Sequence, residues 1–176
     1  NTGTTSVVSV SNSGEQGDRD SRYPAVSADG RFIAFSSSAD NLVPGGSNTL
    51  EHIFVHDRQS GLTERVSVAS DGTLSNRSCN WPSISADGRY VAFHSDATNL
   101  TEEYIFAIRG VFVHDRNTGK TERVSVSSDG TLANRNSQKP SISADGRYVA
   151  FSSMADNLVP DDINTGEDIF FHDQLN

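Results

Sequence analysis

Thr121-Glu-Arg-Val-Ser-Val126 alternates polar and apolar residues. That period of two predicts a half-exposed outer β-strand. A second kind of segment, Arg147-Tyr-Val-Ala-Phe-Ser-Ser153, is β-branched and aromatic at its centre and apolar on both faces. It predicts a strand covered on both sides. A short strand headed by Pro140 precedes it over 140–144, and Asp145-Gly146 between them is a tight hairpin signal. A third strand follows over 168–173, after a long connection. The fourth is seen where Asn117-Thr-Gly119 turns the chain into 121–126. Each unit therefore reads as a four-stranded antiparallel meander, and no segment carries the 3.6-residue period of a helix.

The pattern recurs at a fixed step. Pro24, Pro82 and Pro140 are spaced by 58 residues and open the same phrase. His56-Asp57 returns as His114-Asp115 and His172-Asp173. Thr63–Val68 returns at 121–126 and, more weakly, at Thr5–Val10. A constant step of this length marks a repeated supersecondary unit. The repeats run over 11–68, 69–126, and 127–176 plus 1–10. The expected fold is an all-β single-domain β-propeller of four-stranded blades, with three 58-residue repeats per chain.

Pro-Ser-Ile-Ser-Ala-Asp-Gly-Arg-Tyr-Val-Ala-Phe, followed by Ile-Phe-Val-His-Asp-Arg and a Thr-Gly turn, resembles the TolB-like β-propeller repeat. The resemblance covers nearly the whole chain and implies the fold. It implies no single function, because the family includes periplasmic scaffolding proteins, peptidase domains and exported proteins of unassigned activity.

Residues 1–10 match 117–126 position by position, so a fourth-strand segment lies at one end and a third strand at the other. Propellers have about four to eight blades, so three should not close alone. The expectation is a six-bladed ring of two chains. In it Thr5, Val7, Val8 and Val10 of one chain pair with Ile169, Phe170, Phe171 and His172 of the other. A rotation that fails to close would give a filament, and a piece of a longer propeller would give neither.

A formal net charge of -9 argues against a nucleic-acid surface, and no run of 18 apolar residues is present to insert into a membrane. The Ser-, Asn- and Thr-rich composition and a start at Asn1 suggest an extracellular or periplasmic chain. Cys79 occupies a slot held elsewhere by Ser21 and Ser137, which reads as a packing swap and not a reactive thiol. The long connections fall on one face. There, Asp162, Asn164 and Asp168 have an alternating oxygen spacing that suits Ca²⁺, with an Asx-turn cluster as the simpler reading. Tyr104, Ile105, Phe106 and Ile108 make an apolar loop that points to contact with a partner or ligand.

No nucleophile elbow, zinc motif or phosphate loop occurs. The His-Asp pair recurs in every unit, which suits a structural role. No catalytic residue and no cofactor beyond Ca²⁺ is expected. Tyr23, Trp81 and Lys139 share one slot near the inner strand and read as blade packing, with sugar stacking as the sharper option. The favoured function is a non-enzymatic structural module that self-assembles by strand complementation. The alternative is a glycan- or peptide-binding propeller, and the least favoured a hydrolase's propeller domain.

Overall fold

The computed structural model describes residues 3–46, 49–102, 108–164 and 166–174. Among them are eleven strands and no helix. The first sheet holds β1 (Ser21–Val26), β2 (Phe32–Ser37), β3 (His52–Asp57) and β4 (Leu62–Arg65) in that spatial order. The second holds β5 (Cys79–Ile84), β6 (Tyr90–Ser95), β7 (Gly110–Asp115) and β8 (Lys120–Arg123). The third holds β9 (Ser137–Ile142), β10 (Tyr148–Ser153) and β11 (Asp168–Asp173). Every neighbouring pair is antiparallel.

Two strand boundaries differ from the expectation. The innermost strand begins three residues before its proline, at Ser137 and not at Pro140. The proline sits in a bulge, where its missing N–H costs no ladder bond, and register resumes on either side. The residue before it takes a positive φ: 53° at Tyr23, 56° at Trp81 and 51° at Lys139. The outer strand is shorter than expected and stops at Arg65 and Arg123. There a serine replaces the ladder. Ser67 Oγ accepts from Ile53 N and Ser125 Oγ from Val111 N, both at 3.1 Å.

The core lies between sheets. Ile53, Val55 and Val66 of the first sheet pack with Ile84, Val91 and Phe93 of the second. Val111, Val113 and Val124 of the second pack with Ile142, Val149 and Phe151 of the third. The same joint is thus made twice. Its inner rim is a backbone chain, with Ala28 N donating to Ala86 O at 3.0 Å and Ala86 N to Ala144 O at 2.9 Å. Its flank is an aromatic ring laid on a glycine. Phe32 covers Gly88 and Tyr90 covers Gly146 so closely that a Cβ would overlap the ring.

Candidate interface at the open edge of the third sheet

β3, β7 and β11 occupy one position in the repeat, yet their surroundings differ. β3 and β7 are covered by β4 and β8, whereas β11 has no strand beyond it among the described residues. Ile53 and Val111 are fully buried, and their counterpart Ile169 is 77% exposed. Val55 and Val113 are 1% and 3% exposed, against 73% for Phe171. Phe170 is half-buried because its ring stacks on Phe151, 6.1 Å away. A cleft of about 420 Å³ opens on this side, lined by Lys139, Ser141, Ala150, Phe151, Glu167 and Ile169. The far side of the molecule is also bare. Val26 is 58% exposed, while its counterparts Ile84 and Ile142 are buried.

The outer strands are fastened by a threonine. Thr63 Oγ1 lies 2.9 Å from His56 Nδ1 and donates to Val10 O at 2.6 Å, while Thr63 N donates to Asn12 Oδ1 at 2.6 Å. Thr121 repeats this with His114 Nδ1 at 2.8 Å, Val68 O at 2.6 Å and Ser70 Oγ at 3.0 Å. The hydroxyl hydrogen goes to the carbonyl, so the imidazole must donate from Nδ1. Burial, ahead of neighbouring charges, pushes the imidazoles of His56 and His114 below the usual histidine range. In the third sheet His172, Val126 and Ser128 hold the corresponding positions, and no threonine reaches His172 among the described residues.

The first segment of the chain is half seated. Val10 bridges Gln16 as Val68 bridges Leu74 and Val126 bridges Leu132. Residues 3–9 form no strand; Thr5 and Val7 are exposed and Val8 is half-buried. Among the described residues β11 pairs only with β10, so no strand from residues 3–9 lies on Ile169, Phe170, Phe171 or His172 of the same chain.

The His-Asp pairs divide their labour. His56 and His114 face the outer strands β4 and β8, while each of the three aspartates takes a bidentate arginine. Arg31 binds Asp57 at 2.9 and 2.7 Å, Arg89 binds Asp115 at 2.9 and 2.7 Å, and Arg147 binds Asp173 at 2.8 and 2.7 Å. The guanidiniums hold the Asp57 and Asp115 carboxyls well below the usual carboxylate range. These residues are visible in the repeat, but their pairing across 26 positions is not. Equally unforeseen are the Asn41, Asn99 and Asn157 ties. Their amide nitrogens donate to Gln16 O, Leu74 O and Leu132 O, joining one long connection to the next.

Of the loop residues, Tyr104, Ile105 and Phe106 lie outside the described residues, and Ile108 is half-buried. Asn164 Nδ2 donates to Asp168 Oδ2 at 2.8 Å, and Asn164 Oδ1 accepts from Gly166 N at 2.6 Å. That is the bonding of an Asx turn, and a cation would have to displace it. Asp162 joins no cluster of three acidic, His or Cys groups among the described residues. Tyr23 and Trp81 stack at 4.6 Å, with Lys139 Nζ 5.7 Å from the Trp81 ring. His94 is buried and pushed down to about 4, by burial first and then by the Arg109 charge. Cys79 is fully buried among Ser75 and Ser95, and burial pushes its thiol up to about 11.

No protein-family model and no curated protein matches the chain. Solved structures do. TolB from Acinetobacter baumannii superposes with a TM-score of 0.55 at 19% identity, over 90% of this chain and 31% of its own. A putative TolB from Agrobacterium tumefaciens gives 0.56 at 19% identity, over 88% and 46%. The tricorn protease gives 0.52 at 16% identity, over 85% and 12%. The chain is thus similar in fold to TolB and related β-propeller proteins, and it spans less than half the length of each.

Proposed function

We propose that the chain is a non-enzymatic interaction module, extracellular or periplasmic, that assembles with a second copy by completing its third blade. One observation carries the reading. Ile169 and Phe171 are bare on β11, while the same positions on β3 and β7 are buried. Leaving them in water forfeits roughly 1.5–3 kcal/mol each relative to burial. An open apolar strand edge is also a pairing hazard that folded proteins cover. The bare face of Val26 offers the complementary surface, so contact is head to tail. Among rings of about four to eight blades, three-bladed copies close only as a pair, with six.

The test is sedimentation equilibrium of the 176-residue chain from nanomolar to high micromolar concentration. A concentration-dependent rise to twice 19.0 kDa is expected. A mass that stays at one chain throughout sinks the proposal.

A further inference from the structure

Resting on that assembly reading, we infer that β11 receives residues 4–7 of the second copy in one fixed register. The partner's Thr5 is fastened to His172, Val126 and Ser128, and Tyr148 closes on the partner's Gly30. The repeat supplies the register. Asp57, His56, Val55 and Phe54 face Leu62, Thr63, Glu64 and Arg65, and the second sheet repeats the pairing. One further step of 58 sets Asp173, His172, Phe171 and Phe170 against Thr4, Thr5, Ser6 and Val7 of the partner subunit.

Three features make the slot specific. First, its chemistry is complete except for the occupant. His172 offers the ring that binds Thr63 and Thr121 elsewhere, Val126 the carbonyl of Val10 and Val68, and Ser128 the oxygen of Asn12 and Ser70. Second, the reach is fixed. Val10 is already seated on Thr63, and five residues separate Thr5 from Val10, as five separate Thr63 from Val68. The partner's Val8 then falls where Val66 and Val124 are buried. A slip of one residue would turn Val8 away from that site.

Third, the flank is ready. Tyr148 is 38% exposed, with its ring 6.5 Å from that of Phe171 in the same chain, whereas Phe32 and Tyr90 lie on Gly88 and Gly146. Gly30 is the glycine without a ring. A Cβ there would meet only Arg58 Nη1, at 3.8 Å. The joint also lacks one element. Ser6 stands where Glu64 binds Arg116 at 2.5 Å, so salt should weaken this seam little.

Cysteine pairs test the register under mild oxidation. Ser6→Cys with Phe171→Cys should give a disulfide-linked pair of chains at least tenfold faster than Ser6→Cys with Ile169→Cys, a two-residue slip. Phe171 and Ile169 are both exposed, so neither change should disturb the single chain. Cys79 is buried and should not compete. Gly30→Asn, which tolerates a φ of 70°, should keep the melting curve of the dilute chain and weaken association at least tenfold. If the wild type associates but the two cysteine pairs link equally fast, or Gly30→Asn associates normally, the register is wrong and assembly stands. If the wild type never associates, the assembly reading itself falls. Long polymers carrying the 6–171 link would uphold the register and make the assembly an open filament.

Discussion

β7 and β11 are nearly the same strand in different company. Gly110-Val-Phe-Val-His-Asp115 and Asp168-Ile-Phe-Phe-His-Asp173 share the His-Asp end, the arginine clamp and the central phenylalanine. Phe112 is 2% exposed and stacks on Phe93, and Phe170 stacks likewise on Phe151. The inner half of each sheet is therefore built alike. The difference begins at the outer edge, where β7 gains β8 and the joint to the next sheet, and β11, among the described residues, gains neither. A propeller strand inherits its own sheet from local sequence. Its burial comes from the neighbouring unit.

That contrast can be broken in order of expected effect. Phe112→Ala empties a closed joint and should cost about 3–5 kcal/mol, read as a lower urea midpoint at any protein concentration. Deleting residues 1–8 should instead spare the dilute chain and weaken association about a thousandfold, by the lost cover of Ile169 and Phe171. Sedimentation of the truncated chain checks this, and unchanged association would show that β11 is covered by something else. The exposed counterpart of a core position should follow the same rule. Val113→Ser should lower the melting temperature of the dilute chain by several degrees, while Phe171→Ser should leave it within about a degree and act only on association.

Acid separates the closed joint in another way. His94 is held neutral in the folded chain down to about 4, but the unfolded chain takes up its proton near 6.5. Its contribution is thus intact above about pH 6.5 and lost as pH falls toward about 4, for at most about 3 kcal/mol. The clamped Asp57 and Asp115 lose theirs only below the ordinary carboxylate value of 3.8. His94→Ser, which copies Ser36 and Ser152, should flatten the limb between those two values without abolishing it, since His56 and His114 are depressed too. The smallest effect is expected at Cys79. Its change to Ser should cost under about 1 kcal/mol, because Ser21 and Ser137 fill that slot elsewhere. The wild-type thiol should react with a thiol reagent only on unfolding.

Much of the fold is legible in the sequence. The step of 58 located every meander, and the Asp-Gly turns located the hairpins. The strand limits were less accurate because side chains replace backbone there. Ser67 and Ser125 finish the ladder in place of an outer strand, and the Xaa-Pro bulge hides the first three residues of the inner one. The threonine fastening was half visible, as a repeated Thr and a repeated His-Asp with no sign that they meet. The Arg–Asp clamps link residues 26 positions apart and the asparagine ties residues 25 apart, and no short-range signal reports such a pairing. The apolar loop at 104–106 was legible as composition only.

The sequence by itself determined the repeating unit, its four-strand order and the kinship of residues 4–7 with the outer strands. Those are matters of period and turn chemistry, which act over a few residues. Tertiary structure alone decided which faces are bare. Burial belongs to pairs of sheets, and closely similar strands differ once one of them lacks a neighbour.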